Sequence, residues 1–183
     1  MKLQAHGIET NLPPGWEGRI ALRTPPGAGT RTAPGAGQRS FGEPTPGEAT
    51  PGEVTPTGAS GEVPNPVVHL ASFVLPEERG DFGSGAVDLM TEADVLVVLF
   101  EYGPESVGQA LFRRRGIPTR LRPDQFSPSA LQRTLPGQAG AQVFFTVATR
   151  AFCCYTVLGR QSAANRVLPQ ANATLAATRI LPR

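Results

Sequence analysis

Two runs in this chain are apolar at almost every position: "PVVHLASFVL" (66–75) and "DVLVVLFEYG" (94–103). A strand covered on one face alternates apolar and polar residues, so an unbroken apolar run predicts a strand covered on both faces. The stretch "AQVFFTVATRAFCCYTVLG" carries aromatic and β-branched residues on two arms and predicts a hairpin turning near Ala148 to Arg150. At the N-terminus, "HGIETNL" and "GRIALR" alternate weakly on either side of Pro13-Pro14-Gly15 and predict two strands around a turn. Trp16 follows that turn directly and reads as a core anchor.

Helical signals are fewer. In "PESVGQALF", Pro104 suits a first helical turn, and Val107 and Leu111 lie one turn apart. "FSPSALQRTLPG" predicts a short helix: Ser127 as N-cap, Pro128 at the first position, Phe126 and Leu131 as a hydrophobic staple, and Pro136-Gly137 as the stop. "NRVLPQANATLAATRIL" predicts a final helix and a terminal strand, with Asn165 as cap and Val167, Ala171 and Leu175 on one face. This order lacks the alternation of a doubly wound sheet. It predicts an α+β fold, an antiparallel sheet of about six strands packed with helices.

Residues 24–66 break the pattern. Nine prolines and nine glycines fall in these 43 positions, and only Phe41, Val54 and Val63 are large and apolar. Such a segment buries too little surface to offset its ordering entropy. The reading is one α+β domain over 1–183, interrupted by a disordered Pro/Gly-rich insertion at 24–66, which closes as a loop at a cost that grows only logarithmically with length. A tail or docking motif is the alternative.

Composition adds little pull toward a polyanion. The net charge is +2 over 183 residues. Of the 17 basic residues only Lys2 is a lysine, a bias that fits a GC-rich coding sequence more simply than bidentate recognition. The start "MKLQAHGIET" has no apolar core of signal-peptide length, and no run reaches the roughly 18 apolar residues of a membrane span. The expectation is a soluble, cytoplasmic chain that engages neither membrane nor nucleic acid. Cys153 and Cys154 are adjacent, so in a strand they point to opposite faces and pack instead of bridging.

The segment "ERGDFGSGAVDLM" (78–90) tempts several chemistries and fits none. Gly80, Gly83 and Gly85 run in the reverse order of a dinucleotide fingerprint, and no P-loop lysine follows. Ser84 lies between adjacent glycines, whereas a nucleophile elbow needs Gly-x-Ser-x-Gly. Arg79-Gly80-Asp81 matches an adhesion tripeptide only as any three residues can. The reading is an inter-strand connection whose Val87, Leu89 and Met90 dip back onto the core. His69 reads as a satisfied core histidine. Asp81, Asp88, Asp94, Glu101 and Glu105 lack the order of a calcium loop, and no Cys or His spacing fits zinc. No catalytic, cofactor or metal residue is assigned.

One charge feature remains. Arg113, Arg114, Arg115, Arg120, Arg122 and Arg133 face a single acid, Asp124, across that span. A solvated basic face is the plain reading. Contact of Arg113, Arg114, Arg115, Arg120 and Arg122 with an acidic protein partner, or with the chain's own insertion, is the functional one. Nucleic acid fits less well, because aromatic residues are not interleaved.

"LPPGW" after a short strand, with a closing "NATLAATRIL", is similar in layout to the PsbP-like / Mog-type α/β/α sandwich family. "RGDFGSGAVDLM", "LFEYGPESVGQALF" and "LQRTLPGQAGAQVFFT…RAFCCYTVLG" resemble an uncharacterised group of actinomycete proteins, a likeness that implies no activity. The PsbP-like resemblance implies a non-catalytic domain that binds and stabilises protein assemblies or serves as a secretion chaperone. The expected function is thus a protein-binding accessory or adaptor domain, a chaperone or assembly factor for a larger bacterial complex. The alternatives are a small-molecule binder or enzyme using His69, Glu101 or Cys154 in a pocket between sheet and helices, and a structural subunit of a larger particle.

Overall fold

The computed structural model describes residues 1–23 and 65–182. The expected insertion, but for Asn65 and Pro66, lies outside the described residues. Its flanks are adjacent: the Arg23 amide donates to the Asn65 carbonyl at 3.0 Å, and Pro66 opens a strand.

The strands are β1 (Lys2–Ala5), β2 (Ile8–Asn11), β3 (Glu17–Leu22), β4 (Pro66–Ala71), β5 (Val95–Tyr102), β6 (Ala139–Val147), β7 (Arg150–Leu158) and β8 (Arg179–Ile180), with one α-helix, α1 (Ala164–Ala176), between β7 and β8. They form two antiparallel sheets among the described residues, β1-β2-β8 and β3-β4-β5-β7-β6. The α+β expectation holds at that level. The single sheet of about six strands does not.

The reason is local. His6 and Gly7 both take positive φ, 49° and 73°, and so turn β1 straight into β2 as a tight hairpin. The expected pairing of "HGIETNL" with "GRIALR" is therefore replaced by β1 with β2. Pro13-Pro14-Gly15 still breaks the chain, but the break carries it from the small sheet into the large one.

The apolar runs behave as their composition requires. Every residue of β4 is buried, and so is every residue of β5 except Tyr102. One face of the large sheet holds Val68, Leu70, Val97, Leu99, Phe152 and Cys154. It is covered by Val167, Leu168, Ala171 and Leu175 of α1, by Ile8 and Ile180 of the small sheet, and by Leu12 and Trp16. The other face holds Val67, Ala71, Leu96, Val98, Phe100, Cys153 and Tyr155, and lies under Leu75, Phe82, Ala86, Val87 and Met90 of the β4–β5 connection. Each fully buried Leu, Val or Phe stabilises by roughly 1.5–3 kcal/mol. Leu89 is the exception among the residues expected to return to the core: it is exposed.

Two helical expectations fail for identifiable reasons. "PESVGQALF" forms separate single 3-10 turns at Pro104–Ser106 and Ala110–Phe112, because Val107 is extended at ψ 127° and Gly108 follows at φ 89°, a turn that needs glycine at its second position. At Ser127 the cap forms, its Oγ accepting from the Ser129 amide at 3.2 Å, yet only one 3-10 turn, Pro128–Ala130, follows. Phe126 and Leu131 belong to cores on opposite faces of the sheet, so the staple is not made. Asn165 sits inside α1, which begins at Ala164 without a side-chain cap.

The two sheets share one buried charge. Arg150 starts β7 with its side chain 2% exposed, and Glu101 of β5 is 3% exposed. Arg150 donates to Glu101 twice, Nε to Oε1 at 2.9 Å and Nη2 to Oε2 at 2.6 Å. Nη1 also donates to the carbonyls of Gly7 (3.2 Å) and Leu181 (3.0 Å), and Nη2 to that of His6 (3.1 Å). One guanidinium thus ties the β1–β2 turn and the residue after β8 to the centre of the large sheet. Gly7 is required there, since a Cβ would lie 2.9 Å from Arg150 Nη1. Removing one partner of a buried ion pair costs about 3–5 kcal/mol. Urea titration of Arg150→Met is expected to show a loss of that size. A loss below about 1 kcal/mol would place the lock elsewhere.

Candidate functional site

The five arginines singled out in the sequence lie on an arm, residues 112–127, laid along the outer edge of β6. Backbone bonds hold the arm at both ends. The Thr146 amide donates to the Arg114 carbonyl (2.8 Å), the Gly116 amide to the Thr146 carbonyl (3.0 Å), and Ser127 and Gly140 exchange bonds of 2.9 and 3.0 Å. Between them, Asn172 of α1 accepts from the Leu121 amide at 2.8 Å and donates to the Leu121 carbonyl at 3.1 Å. Phe112 anchors the arm, packing edge-on against Tyr102 and Phe144 at ring separations of 5.2 and 5.5 Å.

The arm displays Arg113, Arg114, Arg115, Arg120 and Arg122, all exposed. They are not equivalent. Arg122 forms two bonds to Asp124, at 3.1 and 2.9 Å. Arg133 pairs with Asp88 of the β4–β5 connection. Arg113 Nε donates to the Ala110 carbonyl at 3.1 Å. Among the described residues, Arg113, Arg114, Arg115 and Arg120 have no carboxylate partner. The Pro/Gly-rich insertion, the alternative partner of these arginines, lies outside the described residues but for Asn65 and Pro66.

His69, Glu101 and Cys154 do not converge. Glu101 is engaged by Arg150, and Cys154 packs in the core under α1. His69 sits on the opposite face, beside Val67 and Ala71 of β4. Its Nε2 lies 3.2 Å from the Gly80 carbonyl, which makes Nε2 the protonated nitrogen. Burial, with Arg79 nearby as a second cause, lowers its pKa from 6.5 to about 4. Burial likewise pushes both cysteine thiols up to about 12, so neither is a thiolate nucleophile near neutral pH.

A feature the sequence did not disclose lies beneath the glycine-rich connection. A cavity of about 280 Å³ is lined by Asp81, Phe82, Ser84 and Val87 from the connection, Leu131, Gln132, Arg133 and Gln138 from the segment before β6, and Tyr155 from β7. Gly83, between the lining residues Phe82 and Ser84, seats the connection on the sheet. At φ 82° it lets the backbone lie against the sheet, where a Cβ would meet Leu96 Cδ2 at 2.5 Å. Phe82 then stacks on Phe100 (4.7 Å between centroids) and meets Tyr155 edge-on (5.9 Å, 79°). Tyr155 Oη accepts from the Gln132 amide at 3.2 Å. Gln138 is 7% exposed; its Nε2 donates to the Val87 carbonyl at 2.8 Å, and its Oε1 has no hydrogen-bond partner among the described residues.

No group of three or more His, Cys, Asp or Glu side chains among the described residues is placed to hold a metal ion, and no helix among them is long and apolar enough to cross a membrane.

The His69 shift carries a sign. Its folded pKa lies below the unfolded value, so the unfolded chain binds the extra proton between pH 6.5 and about 4. Its stabilisation is complete above pH 6.5 and is lost as the pH falls toward 4, by up to about 3 kcal/mol. Urea midpoints measured across that range should fall more steeply for the wild type than for His69→Gln. The two thiols should resist a disulfide reagent in the native protein and react only at the rate of unfolding. No family model, curated protein or solved structure matches the chain, so the reading of function rests on these residues.

Proposed function

We propose that this chain is a non-catalytic, protein-binding accessory domain that takes an acidic segment of a partner on the arginine arm. The observation that carries this is the display of Arg113, Arg114, Arg115 and Arg120, exposed and without carboxylate partners among the described residues, on a backbone fixed to β6 and α1. A fixed arm keeps the backbone that carries these four arginines in place before binding, so that association orders side chains alone. Guanidinium forks match carboxylates in a bidentate fashion.

A plain protective role for the arm is a real competitor, since charged residues along a sheet edge also discourage edge-to-edge aggregation. The two roles separate by experiment. Binding of a poly-glutamate peptide, followed by fluorescence anisotropy, should weaken steeply with salt. It should fall about tenfold in the Arg113→Ala/Arg114→Ala/Arg115→Ala protein, at about 0.5 kcal/mol for each exposed pair, with the melting temperature unchanged. An RNA oligonucleotide should bind no more tightly than the peptide. Failure of the wild type to bind the peptide, or equal binding by the triple variant, would sink the proposal; an aggregating triple variant would favour edge protection.

A further inference from the structure

We propose that the cavity beneath the 79–90 connection is a second, separate site, one that binds a compact heteroaromatic amine of one or two fused rings. None of Arg113, Arg114, Arg115, Arg120 and Arg122 lines it, so it does not depend on the arginine arm.

Its size sets the first limit. At about 280 Å³ it falls just below the usual range for small-molecule pockets, roughly 300–1,000 Å³, and so admits only a compact ligand. The walls set the second. The rings of Phe82 and Tyr155 meet at a fixed edge-to-face angle, and the side chains of Val87 and Leu131 complete an apolar enclosure. A flat ring packs against such surfaces with little rearrangement.

The polar groups select the ligand's chemistry. The Val87 carbonyl can only accept, so the Gln138 amide must present its nitrogen there and keep its oxygen as the unsatisfied end. That oxygen calls for an N–H or O–H donor, because a buried acceptor left unmet costs about 1–3 kcal/mol. Asp81, exposed and also lining the cavity, offers a second acceptor. Among the described lining residues Arg133 is the cation, and it is paired with Asp88; with Asp81 added, the local charges sum to one negative, which disfavours an anionic ligand. Tyr155 accepts from the Gln132 amide and retains its own proton as a donor; burial raises that phenol's pKa. The Gln138 oxygen is the buried lining atom without a partner among the described residues, and the complementary molecule is a ring system that presents an N–H to it.

The test uses the full chain with 2-aminobenzimidazole as probe and benzoate as the acceptor-only comparison. The Phe82 and Tyr155 ring resonances should shift on addition of 2-aminobenzimidazole and stay fixed with benzoate. Leu131→Trp, which fills the cavity from its rim, should abolish the shifts. Gln138→Leu should weaken binding about tenfold. If Gln138→Leu lowers the melting temperature, Leu131→Trp and the benzoate comparison still decide the matter. No shifts in the wild type at millimolar probe, shifts that survive Leu131→Trp, or equal response to benzoate would each overturn the proposal.

Discussion

The fold turns on one guanidinium. Arg150 makes a bidentate pair with Glu101 in the interior of the large sheet and reaches three backbone carbonyls beyond it. Three chain segments distant in sequence, the β1–β2 turn, the end of β8 and the β5–β7 ladder, meet at this side chain. Burying two charges is costly by itself, and desolvation is offset only when the remaining donors find acceptors. Here the carbonyls of His6, Gly7 and Leu181 supply them. The consequence is geometric as much as energetic: the small sheet has one seat on the large sheet, and Ile8, Ile180 and α1 pack the core from that seat.

With one face of the large sheet closed by α1 and the small sheet, the other face is left to the β4–β5 connection. A connection covers a sheet less completely than a helix does, and the cavity lies between Phe82 and Val87 of the connection and Leu131 and Gln132 of the segment before β6. The arginines divide accordingly. Arg150 is structural and buried. Arg122 and Arg133 are engaged at the surface by Asp124 and Asp88. The remaining four stand on a backbone held by its own bonds, with Arg113 also donating to the Ala110 carbonyl, the arrangement expected of groups available to a partner.

Much of this was legible in the sequence. The double-faced burial of β4 and β5 follows from their unbroken apolar runs, and the opposite-facing cysteines from strand geometry. Trp16 reads as an anchor because it follows a tight turn, and Ser127 caps its turn. What was hidden depends on tertiary context. Nothing near Arg150 in sequence marks it as buried, because its partners lie 49 residues away at Glu101 and 144 residues away at His6. The β1–β2 hairpin was masked by His6, which takes a positive φ that few non-glycine residues adopt. The helix expected at "PESVGQALF" has helical spacing, but the turn at Val107 and Gly108 ends it. The cavity needs the 79–90 and 131–138 segments brought together, and no local pattern announces that. Gly83 and Gly85 of "RGDFGSG" take the positive φ of a bend, while the cavity beside them emerges only from what lies opposite.

The seating of the small sheet by Arg150 is most directly tested by native-state amide hydrogen exchange on Arg150→Met against wild type. If the guanidinium is the lock, the amides of Thr10 and Leu181, and others of the small sheet, lose protection at least about tenfold more than those of Val97 and Thr156 in the large sheet. An equal loss across both sheets, or none, would contradict it.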